Sequence, residues 1–143
     1  MKKLSELYQL AEKNQISVDL FSLKHGEAMS FMDTDGSCYI ALDPAQIHTQ
    51  ADERTKLAHE LGHCTTGAFY NQYSPYDCRQ RHENTADKWA VRTLVPEDAL
   101  VDAVAEGRYT PWELAEYFGI SEALMKKAMC LYTHGNLVVD LYF

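Results

Sequence analysis

Long apolar runs are what this sequence lacks most clearly. No stretch approaches the ~18 consecutive apolar residues that a membrane-spanning helix needs. The first residues include Lys2 and Lys3, but the apolar core of a secretion signal does not follow them. We therefore expect a cytoplasmic protein.

Clusters of basic residues are also missing. The chain has 13 Lys and Arg against 21 Asp and Glu, which gives a formal net charge of −8. The densest groupings of basic residues are pairs, namely Lys2-Lys3, Arg79 with Arg81, and Lys126-Lys127. An acidic chain without a basic face is repelled by phosphate backbones. This argues against general binding to nucleic acids or to anionic membranes.

Cysteine is scarce and widely spaced, at positions 38, 64, 78 and 130. No two cysteines have the close spacing of a zinc knuckle or of a thioredoxin-like redox pair. In a cytoplasmic chain such residues are normally reduced. We expect four free, partly buried thiols.

The apolar periodicity predicts an α+β fold in a single domain, residues 1–143, because no repeat, linker or low-complexity tract divides the chain. Residues 1–48 should form a helix and a small antiparallel sheet, residues 49–96 two long helices, and residues 97–143 a helical tail. The expected strands are 16–20, 28–32 and 38–42. The expected helices are 2–14, 49–66, 78–94, 97–106, 110–118 and 121–133, and the apolar end 137–143 is either a short strand or a packed tail.

The first of the two long helices carries His59-Glu60-Leu61-Gly62-His63. Residues four apart share one face of a helix, so His59 and His63 can reach the same ion. Two neutral imidazoles suit a tetrahedral zinc site. Glu60 is offset from both, which places its carboxylate beside a metal-activated water as the catalytic general base.

A candidate third ligand lies on the second long helix, where Glu83 follows His63 by twenty residues and Asp87 comes one turn after Glu83. One carboxylate would complete a His₂Glu zinc site with an open fourth position, and the other would accept the free N–H of a ligand histidine. We assign Glu83 as the ligand and Asp87 as the partner of His59. The competing interpretation is that both are solvated acids on a surface helix.

The residues around these positions extend the pattern, with Leu57 and Ala58 before the first motif and Ala86, Trp89, Ala90, Leu94 and Pro96 in the second. Together they resemble the ImmA/IrrE family of zinc metallopeptidases, which are compact proteins of the gluzincin type. The similarity covers roughly residues 4–133. Thr85 stands where the family has a second glutamate, which leaves Glu83 as the glutamate ligand.

The resemblance implies a zinc-dependent endopeptidase that binds Zn²⁺ through His59, His63 and Glu83. Family members are often encoded by mobile elements or stress systems, and they cleave a helix-turn-helix transcriptional repressor. The resemblance therefore implies a protein substrate of this kind.

The segment Leu114–Ser121 resembles the helix-turn-helix-like tail of the family, and it is also typical of DNA-reading helices. However, the helix after it offers Lys126 and Lys127 but few base-reading side chains, and the net charge opposes DNA binding. We expect the tail to pack or to cradle a protein substrate.

Three points stay open at this level. The residue that stabilises the oxyanion is not identified, and the candidates near the motif are Tyr70, Tyr73, Tyr76 and His82. A catalytically silent zinc site in a binding module is one alternative function. A helix-turn-helix DNA-binding regulator is the other.

Overall fold

The computed structural model describes residues 2–71 and 73–143 and has the α+β composition that the sequence predicts. A small sheet is followed by two long helices and then by three shorter ones. The elements are α1 (Leu4–Lys13), β1 (Ser17–Leu20), β2 (Ala28–Met32), β3 (Cys38–Leu42), α2 (Gln50–Thr66), α3 (Tyr76–Leu94), α4 (Glu97–Ala105), α5 (Pro111–Phe118) and α6 (Glu122–His134).

The sheet has the strand order β1-β3-β2 and is mixed. β2 pairs with β3 in antiparallel register, with Ala28 opposite Leu42, whereas β1 runs parallel to β3, with Ser17 opposite Tyr39. The expectation of an antiparallel sheet therefore holds for one of the two strand pairs. After β1 the chain crosses to the other edge of the sheet, where β2 runs in the opposite direction to β1. β3 then fills the position between the two strands and runs in the same direction as β1.

Helix α2 occupies the centre of the molecule and contacts α1, β2, β3 and α3. Its start and end follow the local signals in the sequence. The Thr49 hydroxyl accepts a hydrogen bond from the Asp52 N–H at 3.1 Å, and Gly67 closes the helix in the left-handed conformation. The core consists of buried apolar residues from α2 and from the elements around it, among them Leu7, Ile40, Leu42, Leu57, Leu61, Val91, Leu94, Leu114, Phe118 and Met125.

Helices α2 and α3 approach each other closely at Gly62. A methyl group added at this position would lie 2.6 Å from the Ala86 carbonyl oxygen, so only glycine allows the two backbones to come this near. The close approach brings the histidine face of α2 against the acidic face of α3.

The C-terminal helices are fastened to α2 by Arg54. Its guanidinium donates hydrogen bonds to the carbonyl oxygens of Phe118 and Gly119 at the end of α5, and to that of Lys2 at 2.5 Å. A cation at the carboxyl end of a helix is also favourable for the helix dipole. Ser121, which caps α6, donates its backbone N–H to the Thr55 hydroxyl at 2.9 Å.

The chain end is a packed tail rather than a strand. Residues Val139–Leu141 form a 3₁₀ turn, and the Tyr142 ring stacks on His134 with 3.6 Å between the ring centroids. Among the described residues, none of the helices is both long and apolar enough to cross a lipid bilayer.

The expectation of four free thiols is wrong for two of the cysteines. Cys38 and Cys64 form a disulfide that joins the start of β3 to the last turn of α2. Cys78 and Cys130 are free. The rules for sequence spacing cover cysteines close in the chain, whereas these two are 26 residues apart and are brought together by the packing of α2 against the sheet.

Candidate metal centre

The two histidines of the α2 motif point the same ring nitrogen at each other. The Nε2 atoms of His59 and His63 lie 3.2 Å apart. Each Nδ1 atom contacts an acceptor, namely an Asp87 carboxylate oxygen at 2.7 Å for His59 and the Ala68 carbonyl oxygen for His63. Because an acceptor at Nδ1 fixes the proton there, a neutral ring keeps its Nε2 lone pair free for a metal ion.

Glu83 of α3 closes the third side of this centre. Its carboxylate oxygens lie 2.8 Å from the Nε2 atom of His59 and 3.3 Å from that of His63. In a tetrahedral site with zinc–ligand bonds of ~2.0–2.1 Å, neighbouring ligand atoms are about 3.3 Å apart. The donor atoms of these three residues therefore fit a zinc ion in type and in spacing, and the fold brings the predicted ligands together.

The centre favours positive charge at its imidazoles. Burial opposes the protonated form of His59, but hydrogen bonds to Asp87 and Glu83 outweigh it and raise the pKa of His59 to about 10. Burial likewise works against the ionised form of Glu83, yet hydrogen bonds from His59, His63 and Tyr70 hold its pKa well below the usual range. The negative charge of these carboxylates would stabilise a bound metal cation in the same way as it stabilises a proton on the imidazole.

Asp87 lies between His59 and Lys127. Its residue surface is 6% exposed, and one carboxylate oxygen contacts His59. The other oxygen accepts a hydrogen bond from the Lys127 ammonium group of α6 at 2.6 Å. Sequence reasoning missed Lys127 in this role, because no local signal indicates how α6 docks on α3.

Glu60 is buried on the same helix as the histidines and lies between two adjoining cavities of ≈ 470 and ≈ 420 Å³. Both cavities are lined by Ala28, His59, Glu60 and Glu83. The larger continues towards α6 along Thr55, Gln80, Ser121, Leu124 and Lys127, and the smaller towards Met29, Ser30, Phe69 and Tyr70. A cleft thus extends on both sides of the candidate metal centre.

The sequence profile of the IrrE N-terminal-like domain, Peptidase_M78, matches residues 11–129. The chain belongs to this family. The expected similarity to the ImmA/IrrE peptidases is thereby confirmed, and family membership implies a peptidase, that is, a hydrolase with a protein substrate. No curated protein matches the chain. The matched range includes every residue of the centre described above.

In this Peptidase_M78 chain, the free edge of the sheet borders the cleft. The Asp43 N–H donates to the Glu27 carbonyl oxygen at 3.0 Å, which makes these residues a hydrogen-bonded pair of the β2–β3 ladder. Such pairs alternate along an antiparallel ladder. Ala28 and Ser30 therefore direct their N–H and C=O groups away from β3, towards the cleft that they line.

Of the four candidates for stabilising an oxyanion in this peptidase, the fold brings Tyr70 into the centre. Its hydroxyl donates to a Glu83 oxygen at 2.6 Å, and this hydrogen bond, together with burial, raises the pKa of Tyr70 to about 12. The hydroxyl consequently stays a proton donor at neutral pH. Tyr73 and Tyr76 are 86% and 72% exposed, and His82 stacks on the Tyr70 ring.

Proposed function

We propose that this peptidase is a zinc-dependent endopeptidase. The observation that carries the proposal is the arrangement of His59, His63 and Glu83, whose donor atoms lie at the spacings of a tetrahedral site while both Nδ1 atoms are held by acceptors. Bound zinc would supply Lewis acidity, which polarises the scissile carbonyl and makes water easier to deprotonate.

The proposed base is Glu60, which lies in the cleft beside the ligand histidines. Its carboxylate takes a proton from water as the water oxygen bonds to the peptide carbonyl carbon. It then gives that proton to the leaving nitrogen as the C–N bond breaks. The Tyr70 hydroxyl, which donates to Glu83 in this structure, would turn to the substrate and donate a hydrogen bond to the carbonyl oxygen as negative charge develops.

The free edge of β2 supports an extended polypeptide substrate. A segment laid antiparallel to β2 would pair with the backbone groups of Ala28 and Ser30 and would lie in the cleft that Glu60 also lines. Because the cleft continues on both sides of the centre, such a segment need not end there. This favours cleavage within a chain over removal of terminal residues.

We further propose a helix-turn-helix transcriptional repressor as the substrate, as the resemblance to the ImmA/IrrE peptidases implies. DNA-binding proteins carry basic faces, and the net charge of −8 on this chain is complementary to them. Direct DNA binding by α6 finds less support, because Lys126 pairs with Glu122 and Lys127 with Asp87.

The test compares the wild-type protein with Glu60→Gln, using the repressor encoded beside the gene as substrate. Glu60→Gln should bind as much zinc as the wild type and should not cleave, since the amide cannot accept the proton. Glu12→Gln, an exposed position on α1, serves as the matched control and should cleave normally. Cleavage by Glu60→Gln would contradict the mechanism. If the wild-type protein itself binds zinc but does not cleave, the result would instead support the silent binding module.

A further inference from the structure

Three side chains from three helices connect the C-terminal helix to the centre. The Lys127 ammonium of α6 lies 2.6 Å from one oxygen of Asp87 on α3, and the other Asp87 oxygen lies 2.7 Å from the Nδ1 atom of His59 on α2. The Asp87 side chain is 9% exposed. Both oxygens of a buried carboxylate are thus occupied, one by each neighbour.

The neighbouring lysine shows what an ordinary ion pair looks like on the same helix. Lys126 lies 3.6 Å from Glu122 one turn earlier on α6, and the two side chains are 33% and 52% exposed. Such surface pairs contribute little to stability or geometry. Lys127, by contrast, reaches a buried acceptor on another helix, where an unpartnered oxygen would be costly.

We propose that Lys127 is a positioning residue of the metal centre. By binding one Asp87 oxygen, it fixes the rotation of the carboxylate so that the other oxygen holds the Nδ1 proton of His59 and directs Nε2 to the metal position. The helical tail is then part of the metal centre through α6. This inference rests on the proposed metal binding but not on the proposed peptidase activity.

Two physical effects of Lys127 on metal affinity have opposite signs. As a positive charge near the centre, the ammonium group repels a cation, so its removal alone would strengthen zinc binding. As the partner that orients Asp87, it favours zinc binding, so its removal would weaken it. The direction of the change therefore decides between them.

The experiment measures zinc affinity by competition with a chromophoric chelator. Lys127→Met, which keeps the length of the side chain and removes its charge, should weaken zinc binding about tenfold, at the lower end of the range for residues that hold metal ligands. Lys127→Arg should stay close to the wild type, because it keeps both charge and donors. Lys126→Met is the matched control and should also match the wild type.

A double-variant comparison tests whether Lys127 acts through Asp87. Asp87→Ala should weaken zinc binding about 10–100-fold, and adding Lys127→Met to it should cause no further loss. The visible spectrum of the cobalt-loaded protein should change in Lys127→Met and return in Lys127→Arg. If Lys127→Met does not unfold cooperatively without metal, Lys127→Gln takes its place.

Unchanged or tighter zinc binding in the Lys127 variant would overturn the positioning role, as would an equal loss in the Asp87→Ala background. Either result would leave the proposed function intact, since the wild type would still bind zinc. A wild-type protein that binds no zinc would overturn both, whereas a zinc-binding protein that shows the Lys127 effect without cleavage would overturn only the peptidase proposal.

Discussion

Reduction of the Cys38–Cys64 disulfide should lower the stability of this protein by a calculable amount. The bond closes a loop with a sequence separation of 26 residues, for which loss of chain entropy in the unfolded state corresponds to about 3.5 kcal/mol. For a chain of 143 residues, the entropy of unfolding near 60 °C is roughly 0.3 kcal/mol/K. The midpoint of thermal unfolding should therefore fall by about 12 °C.

The same reduction should leave the metal centre in place. Cys64 directly follows His63, but α2 is also held by the fully buried side chains of Leu57 and Leu61. The Nδ1 atom of His63 contacts Ala68 independently of the disulfide. We therefore expect the reduced, folded protein to bind zinc as tightly as the oxidised one.

The assay is thermal unfolding by circular dichroism, with and without a phosphine reductant, which does not compete strongly for zinc as a dithiol would. The double variant Cys38→Ser/Cys64→Ser should melt like the reduced wild type in both conditions. Cys78→Ser, a free and half-buried cysteine, is the control and should keep the full difference between them. The reasoning would be refuted if the wild type melted at the same temperature with and without the reductant. It would also be refuted by four alkylatable thiols in the denatured, unreduced protein.

Three further substitutions test the site. Gly62→Ala should cost about 1–3 kcal/mol of stability and weaken zinc binding, because the new methyl group presses on a backbone carbonyl of α3. Calorimetry measures the stability and chelator competition the zinc affinity; an unchanged affinity would show that the close approach of α2 and α3 does not position the ligands. Tyr70→Phe should lower kcat about 10²–10³-fold at unchanged zinc content, with Tyr73→Phe as control; a loss of zinc instead would assign the hydroxyl to holding the ligand. Ser30→Pro should lower kcat/KM about tenfold through the loss of one backbone hydrogen bond to the substrate, yet the protein should stay folded because the Ser30 N–H faces the free edge. Met29→Pro should unfold the hairpin, and normal cleavage by folded Ser30→Pro would exclude strand addition.

Much of this fold is predictable because its signals are local. Caps determine where helices begin, as at Thr49, Thr110 and Ser121, each of which accepts a hydrogen bond from the backbone of the first turn. Strands β2 and β3 have the bounds that alternation and turn residues predict. The spacing of the site residues is also local, since the ligand pair His59 and His63 shares one helical face, and Glu83 shares another with Asp87.

Every feature that the sequence fails to reveal depends on packing between distant segments. The parallel direction of β1 follows from a crossing of the sheet, and the disulfide follows from the docking of α2 on β3. Lys127 contacts Asp87 only because α6 packs on α3, 40 residues away in the chain. No periodicity or spacing rule reports such contacts.

The candidate metal centre depends both on local helical spacing and on contacts between distant segments. Helical spacing selects which side chains can meet a metal ion, but each proposed histidine ligand is held by a group that only the fold supplies. His63 is held by the Ala68 carbonyl and His59 by Asp87. Because ligand identity selects the metal while these outer contacts fix ligand orientation, variants of the outer contacts should change affinity and rate and should leave the choice of metal unaltered.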